Sequence, residues 1–194
     1  MSITSVAVYC ASSDGSSPRW REALADLGRT IARGGMTLVY GGGSVGMMGA
    51  VADAALAEGG KVIGVIPRAM VEAERAHRGV SDMRIVETMH QRKALMVELS
   101  SAFVAAPGGF GTLDELFETI TWAQLGFHGK PIGLLDTDGF YGGLLAFLDS
   151  TVAAGFIQPR FRALVRSAGD AGGLLDELRR AQPVQGAGWA RVPG

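Results

Sequence analysis

Glu115 and Glu118 stand one helical turn apart, so any helix that carries them presents both on one face. They follow a glycine loop, Pro107-Gly-Gly-Phe-Gly111, which is itself preceded by a short apolar run, Phe103 to Ala106. Beyond the loop, apolar residues recur at Leu113, Leu116, Phe117 and Ile120, which is helical spacing. Strand, glycine loop and helix start leave backbone N–H groups exposed at the positive end of a helix. The expected guest there is an anion, most often a phosphate. Carboxylates beside a phosphate cradle suit chemistry on a nucleotide or a sugar phosphate. A structural role competes for the same residues. Thr112 is a natural N-cap, and Glu115 stands three positions on, as a capping box requires.

A second glycine-rich loop, Gly41-Gly-Gly-Ser-Val-Gly-Met-Met-Gly49, joins a strand to a helix of small residues. Its Gly41-x-Gly43-x-x-Gly46 core matches the dinucleotide fingerprint by letter. The fingerprint also needs an acidic residue about 20 positions later, at the end of the next strand, to hold a ribose. Ile66-Pro67-Arg68 stands there instead, which disfavours NAD and leaves NADP only Arg68. The loop reads as a tight turn that also helps line a phosphate site.

Arg92 and Lys93 are adjacent cations on a predicted helix, and such pairs are usually solvated. Met89 and Met96 mark a half-buried face beside Arg92, however, and a guanidinium at a buried edge serves a carboxylate or a phosphate. His77, His90 and His128 lack metal-ligand spacing, so no metal site is expected. Cys10 ends a buried strand with no base nearby and reads as core. Phe117, Trp122 and Phe127 read as core or as an interface between two copies.

The elements that must position these residues follow in order. Strands are predicted at Val6–Cys10, Met36–Tyr40, Lys61–Ile66, Met83–Val86, Phe103–Ala106, Pro131–Leu135 and, as an edge, Ala163–Arg166. Helices fall between them: from Pro18, after Gly46, over Thr88–Leu99, from Thr112, over Tyr141–Ala154 and over Ala171–Arg180. Residues 68–82 are polar and irregular, the expected lid or interface segment. Alternation of strand and helix predicts an α/β protein, a doubly wound parallel sheet with helices on both faces. Its ligands bind beyond the carboxyl ends of the strands. A single domain is expected over residues 1–181, with a flexible Pro/Gly-rich tail over 182–194.

Eighteen Lys and Arg against 19 Asp and Glu give a net charge of −1, which points to neither nucleic acid nor a membrane surface as partner. One cysteine excludes an intramolecular disulfide and makes a reducing compartment the default. No basic segment precedes the first apolar strand and no apolar run is long enough to span a bilayer, so the expected location is cytoplasmic.

Taken together, Pro107-Gly-Gly-Phe-Gly-Thr-Leu-Asp-Glu115, Gly41-Gly-Gly-Ser-Val-Gly-Met-Met-Gly49 and Met89-His-Gln-Arg-Lys93 closely resemble the LOG (LONELY GUY) family. These are cytokinin riboside 5′-monophosphate phosphoribohydrolases, whose relatives were long mislabelled lysine decarboxylases. The resemblance runs from about Val6 to Phe161 and includes Cys10-Ala-Ser-Ser13 and Thr121-Trp-Ala-Gln-Leu-Gly126. It implies a Rossmann-like homodimer with active sites near the subunit interface. The implied reaction cleaves the N-glycosidic bond of an N6-modified AMP to free base and ribose 5-phosphate, with no cofactor and no metal. By resemblance, Arg92 and Glu115 carry the catalysis. Glu74, Lys93, Thr121, Met89, Gly43 and Ser44 contact the nucleotide, as does the run Gly109, Phe110, Gly111, Thr112, Leu113 and Asp114. The sequence departs from the family pattern at Ala11 for glycine, Trp20 and Phe110 for tyrosine, and Asp114 for glutamate.

Two other activities fit parts of the pattern. A pyridoxal-phosphate decarboxylase needs a Schiff-base lysine. Of Lys61, Lys93 and Lys130, the first opens a strand and the last sits in a turn, which leaves Lys93. A non-catalytic nucleotide carrier or sensor would keep the glycine loops without needing Glu115.

Overall fold

The computed structural model describes residues 2–71, 76–182, 184 and 186. Seven strands form one sheet: β1 (Ser5–Tyr9), β2 (Thr37–Tyr40), β3 (Val62–Pro67), β4 (Asp82–Val86), β5 (Ala102–Ala105), β6 (Ile132–Leu135) and β7 (Val165–Ala168). Their order is β4-β3-β2-β1-β5-β6-β7, and every pairing is parallel. The apolar runs read as continuous rather than alternating because both sheet faces are covered. Helices α1 (Pro18–Arg33), α2 (Gly46–Ala57) and α7 (Ala171–Arg180) cover one face, burying Leu24, Val51 and Leu174. Helices α3 (Met89–Leu99) and α4 (Phe110–Leu125) cover the other, burying Met96 and Leu116. Helix α5 (Gly142–Ala153) and the short α6 (Pro159–Arg162) lie beyond α4 in sequence. This is the predicted single-domain, doubly wound fold.

Chain order reverses between β1 and β5. Strands β2 to β4 extend from one side of β1, and β6 and β7 extend from β5 on the other. The register pairs Tyr9 with Ala105, so Cys10 and Ala106 leave the sheet side by side. Diverging connections open a crevice at such a point.

The structure differs from expectation in places. The four-residue α6 was not anticipated; it opens on Pro159, which suits a first helical position. The last strand lies two residues further on than the expected Ala163–Arg166, at Val165–Ala168. Residues 72–75 of the segment expected to be irregular, 68–82, lie outside the described residues; the described ones up to Ser81 lie outside the sheet's strands, and Asp82 already belongs to β4. The segment begins with a 3-10 turn at Arg68–Met70, and Ala76 and His77 attach to the glycine loop. Ala76 bridges Gly43, and the His77 N–H donates to the Gly42 carbonyl at 2.9 Å. Of residues 182–194, only Gln182, Val184 and Gly186 are among those described.

Candidate active site

A cavity of about 360 Å³ opens where β1 and β5 diverge. Cys10 to Ser13 line it after β1; Met89 and Arg92 reach it from α3; Gly109 to Thr112, Asp114 and Glu115 reach it from α4. Met48 and Met70 complete the wall.

The start of α4 sets the chemistry. Its cap is Gly109, in extended conformation (φ −98°, ψ −151°), with no side-chain capping bond. The first intrahelical bond runs from the Leu113 N–H to the Gly109 carbonyl at 3.0 Å. The amides of Phe110, Gly111 and Thr112 therefore point out of the helix end on the cavity wall. Thr112 is not the N-cap. The helix has already begun at Phe110, and Thr112 is buried against Gly108, where a Cβ would come within 2.2 Å of its Oγ1. Glu115 then lies in the second helical turn, too deep to reach back to the helix end. The capping-box reading of Thr112 and Glu115 is thus wrong. A capping box does occur at the head of α3, where Thr88 Oγ1 accepts from the Gln91 N–H and Gln91 returns the bond.

Glu115 is 8% exposed and lines the cavity. Its turn is braced from behind. The Thr119 hydroxyl donates to the Glu115 carbonyl at 2.8 Å, and the buried Tyr9 hydroxyl stands 2.9 Å from Thr119 Oγ1. Since Thr119 gives its proton to that carbonyl, Tyr9 is the donor in the second bond. Burial pushes the Tyr9 phenol well above its usual pKa, which keeps that proton in place.

Arg92 is 5% exposed, and its Nη2 donates to the Gly41 carbonyl at 3.2 Å. A Cβ on residue 41 would lie 2.0 Å from that nitrogen, so glycine is required there to admit the guanidinium. The first glycine of the second loop thus serves an arginine. Gly43 and Ser44 are absent from the cavity wall, and Gly43 is bridged to Ala76. Arg68, the residue left for an NADP phosphate, pairs with Glu87 at 3.1 Å on the surface.

Lys93 turns away from Arg92. Its ammonium lies 3.0 Å from Asp114 and 3.1 Å from Glu118, clamping α3 to α4. Burial would lower its pKa, but hydrogen bonds and charge from Asp114 and Glu118 outweigh that and raise it. A Schiff base forms from a neutral amine, so this lysine is set against that chemistry. Leu113 is half-buried against the core cluster under α4. Thr121 is exposed, donates to the Phe117 carbonyl at 2.7 Å, and borders a separate pocket between α4 and α6. Glu74 lies outside the described residues. Phe110 is 93% exposed at the cavity wall, and Met89 is 40% exposed.

Sequence reasoning missed Cys10, Ser12, Ser13, Met48 and Met70 as cavity residues; Cys10 packs against the core, as expected, and also borders the cavity. The first three follow directly from the rule that ligands sit beyond strand carboxyl ends, applied to β1. No group of three or more His, Cys, Asp and Glu suited to a metal occurs among the described residues. No helix among them is long and apolar enough to cross a membrane.

A family profile described as possible lysine decarboxylase matches residues 48–178. A probable cytokinin riboside 5′-monophosphate phosphoribohydrolase of Oryza sativa subsp. japonica is 49% identical over 176 residues, 91% of this chain and 83% of that protein. A cytokinin riboside 5′-monophosphate phosphoribohydrolase of Arabidopsis thaliana is 47% identical over 178 residues, 92% of this chain and 83% of that protein. The chain belongs to the LOG family. Among solved structures, the molybdenum cofactor carrier protein of Chlamydomonas reinhardtii superposes with a TM-score of 0.69 at 22% identity, covering 91% of this chain and 96% of that one. The molybdenum cofactor binding protein of Rippkaea orientalis gives 0.68 at 20% identity, over 92% and 97%. At those identities the likeness shows that LOG proteins and these carriers share a fold.

Proposed function

We propose that the chain hydrolyses the N-glycosidic bond of N6-modified adenosine 5′-monophosphates, releasing the base and ribose 5-phosphate. The observation that carries this reading is a buried carboxylate, Glu115, and a buried guanidinium, Arg92, on the wall of the cavity into which the α4 amides point. The 5′-phosphate binds those amides, and this remote binding energy orients the ribose. Breaking the C1′–N9 bond leaves its electron pair on the base and builds oxocarbenium charge on the sugar. The Glu115 carboxylate stabilises that charge and takes a proton from the incoming water, whose oxygen bonds to C1′; the departing base takes up a proton in turn, and release of the proton from Glu115 restores the carboxylate. Arg92, on the same wall, supplies positive charge for the phosphate or for the Glu115 carboxylate.

Glu115→Gln separates this role from a structural one. Hydrolysis falls by roughly 10²–10⁴-fold, the scale for loss of a general base, while substrate binding and melting temperature are kept. Turnover near wild type would leave the reaction without its carboxylate.

The same reading includes a homodimer in the cytoplasm. Supporting it, Ala94, Val97, Trp122 and Phe127, together with Glu98, His128 and Lys130, line a hollow of about 600 Å³ beside α3 and α4. Phe127 is 63% exposed, and a second copy would cover such a surface.

A further inference from the structure

We infer that Tyr141 is a positioning residue for the phosphate-binding loop: its hydroxyl fixes the peptide from which Pro107–Gly109 and the first turn of α4 hang. The inference rests on the nucleotide-hydrolase reading of that loop.

Ala106 is where the chain leaves β5. Its N–H donates to the Tyr9 carbonyl at 2.9 Å, the last tie of this strand to β1. On the other side, pairing with β6 ends one residue earlier, at Ala105 with Leu134. The Ala106 carbonyl is taken instead by the Tyr141 hydroxyl, which donates to it at 2.6 Å. The next residue is Pro107, which has no N–H. That carbonyl is therefore the one hydrogen-bonding group of the 106–107 peptide. Two glycines follow, and neither has a side chain to hold the loop. The loop is fixed at its two ends, by the Tyr141 hydroxyl behind and by the contact of Gly108 with Thr112 ahead.

Tyr141 is itself firmly placed. It is 1% exposed, its N–H donates to Asp136 Oδ1 at 2.6 Å, and the Phe140 ring meets it edge-on at 4.9 Å. Burial, with lesser effects from Cys10 and Asp136, raises the phenol pKa and keeps the hydroxyl a donor. Tyr141 does not line the cavity, so its effect on the reaction passes through the loop.

Tyr141→Phe keeps the ring and removes the bond. Three quantities are compared with wild type: amide hydrogen exchange over residues 108–112, ribose 5-phosphate affinity by calorimetry, and the kinetics of N6-isopentenyl-AMP hydrolysis. Exchange in the loop is expected to quicken, and KM and the ribose 5-phosphate dissociation constant to rise together by about tenfold, the scale of one hydrogen bond. The value of kcat and its pH profile should stay close to wild type, because Glu115 is untouched. Wild-type exchange and wild-type ribose 5-phosphate affinity in the variant would overturn the inference, even with a lowered melting temperature. If the wild-type protein proves unable to cleave the nucleotide, the functional reading falls. Exchange then decides the inference alone: quickened, the anchor stands; unchanged, it is overturned.

Discussion

Arg92 and Lys93 are neighbours with opposite roles. Successive helical residues point about 100° apart, so one cation enters the cavity and the other the α3–α4 clamp. The sequence shows two cations and not which faces where; that depends on how α3 seats against β1 and α4. Arg92→Ala should therefore cut turnover by about 10²-fold or more with a modest change in melting temperature. Lys93→Met should do the reverse, costing about 1–3 kcal/mol of stability because Asp114 and Glu118 lose their shared partner; thermal melts check both. The clamp also has a pH signature. The folded-state pKa of Lys93 is raised, so the folded chain holds this proton more tightly than the unfolded chain does. Its contribution is fully present below the ordinary lysine value, about 10.4, and is lost as pH rises through the folded pKa. Wild-type stability should fall more steeply on this alkaline limb than that of Lys93→Met. Glu115 was legible as a carboxylate near a phosphate cradle. Its competing role as a cap partner could be set aside only once the helix was seen to begin at Phe110.

At the scale of elements, strands and most helices were readable because glycines and prolines end the apolar runs. The start of α4 was not. Thr112 is the better cap by side chain, but Pro107 and two glycines let the backbone turn into the helix earlier, with bare Gly109 as cap. Two substitutions test the geometry of this entry. Gly108→Ala would place a Cβ 2.2 Å from Thr112 Oγ1, so either the loop or the helix start must shift. A lowered melting temperature and weaker ribose 5-phosphate binding are expected. At Gly111 nothing lies within 4 Å of an added Cβ, and the residue is helical. Gly111→Ala should keep the fold and gain about 0.5–1 kcal/mol in denaturant melts. Equal losses from both would show that the loop is not seated as described. The short α6 and the shifted β7 lie at the sheet edge, where local apolar runs are too brief to fix register.

For the whole molecule, the sheet order matters most. Reversal between β1 and β5 brings Cys10–Ser13 and Gly109–Glu115 to one crevice, although about a hundred residues separate them. Alternation of strand and helix pointed to that crevice, but side-chain roles within it depend on how α3 and α4 seat against the sheet. The hollow beside Trp122 and Phe127 belongs to the same scale. Light scattering at micromolar concentration should give twice the chain mass, and Phe127→Asp should shift the population toward monomer. A wild-type monomer would remove the dimer from the account. The central claim is hydrolysis of a nucleotide at this crevice, and a product balance tests it most directly. Purified wild-type protein is incubated with N6-isopentenyl-AMP and no added cofactor, and base and sugar phosphate are quantified by chromatography. Free base and ribose 5-phosphate should accumulate in equal amounts over many turnovers. Recovery of the intact nucleotide, or of the nucleoside with inorganic phosphate, would contradict it.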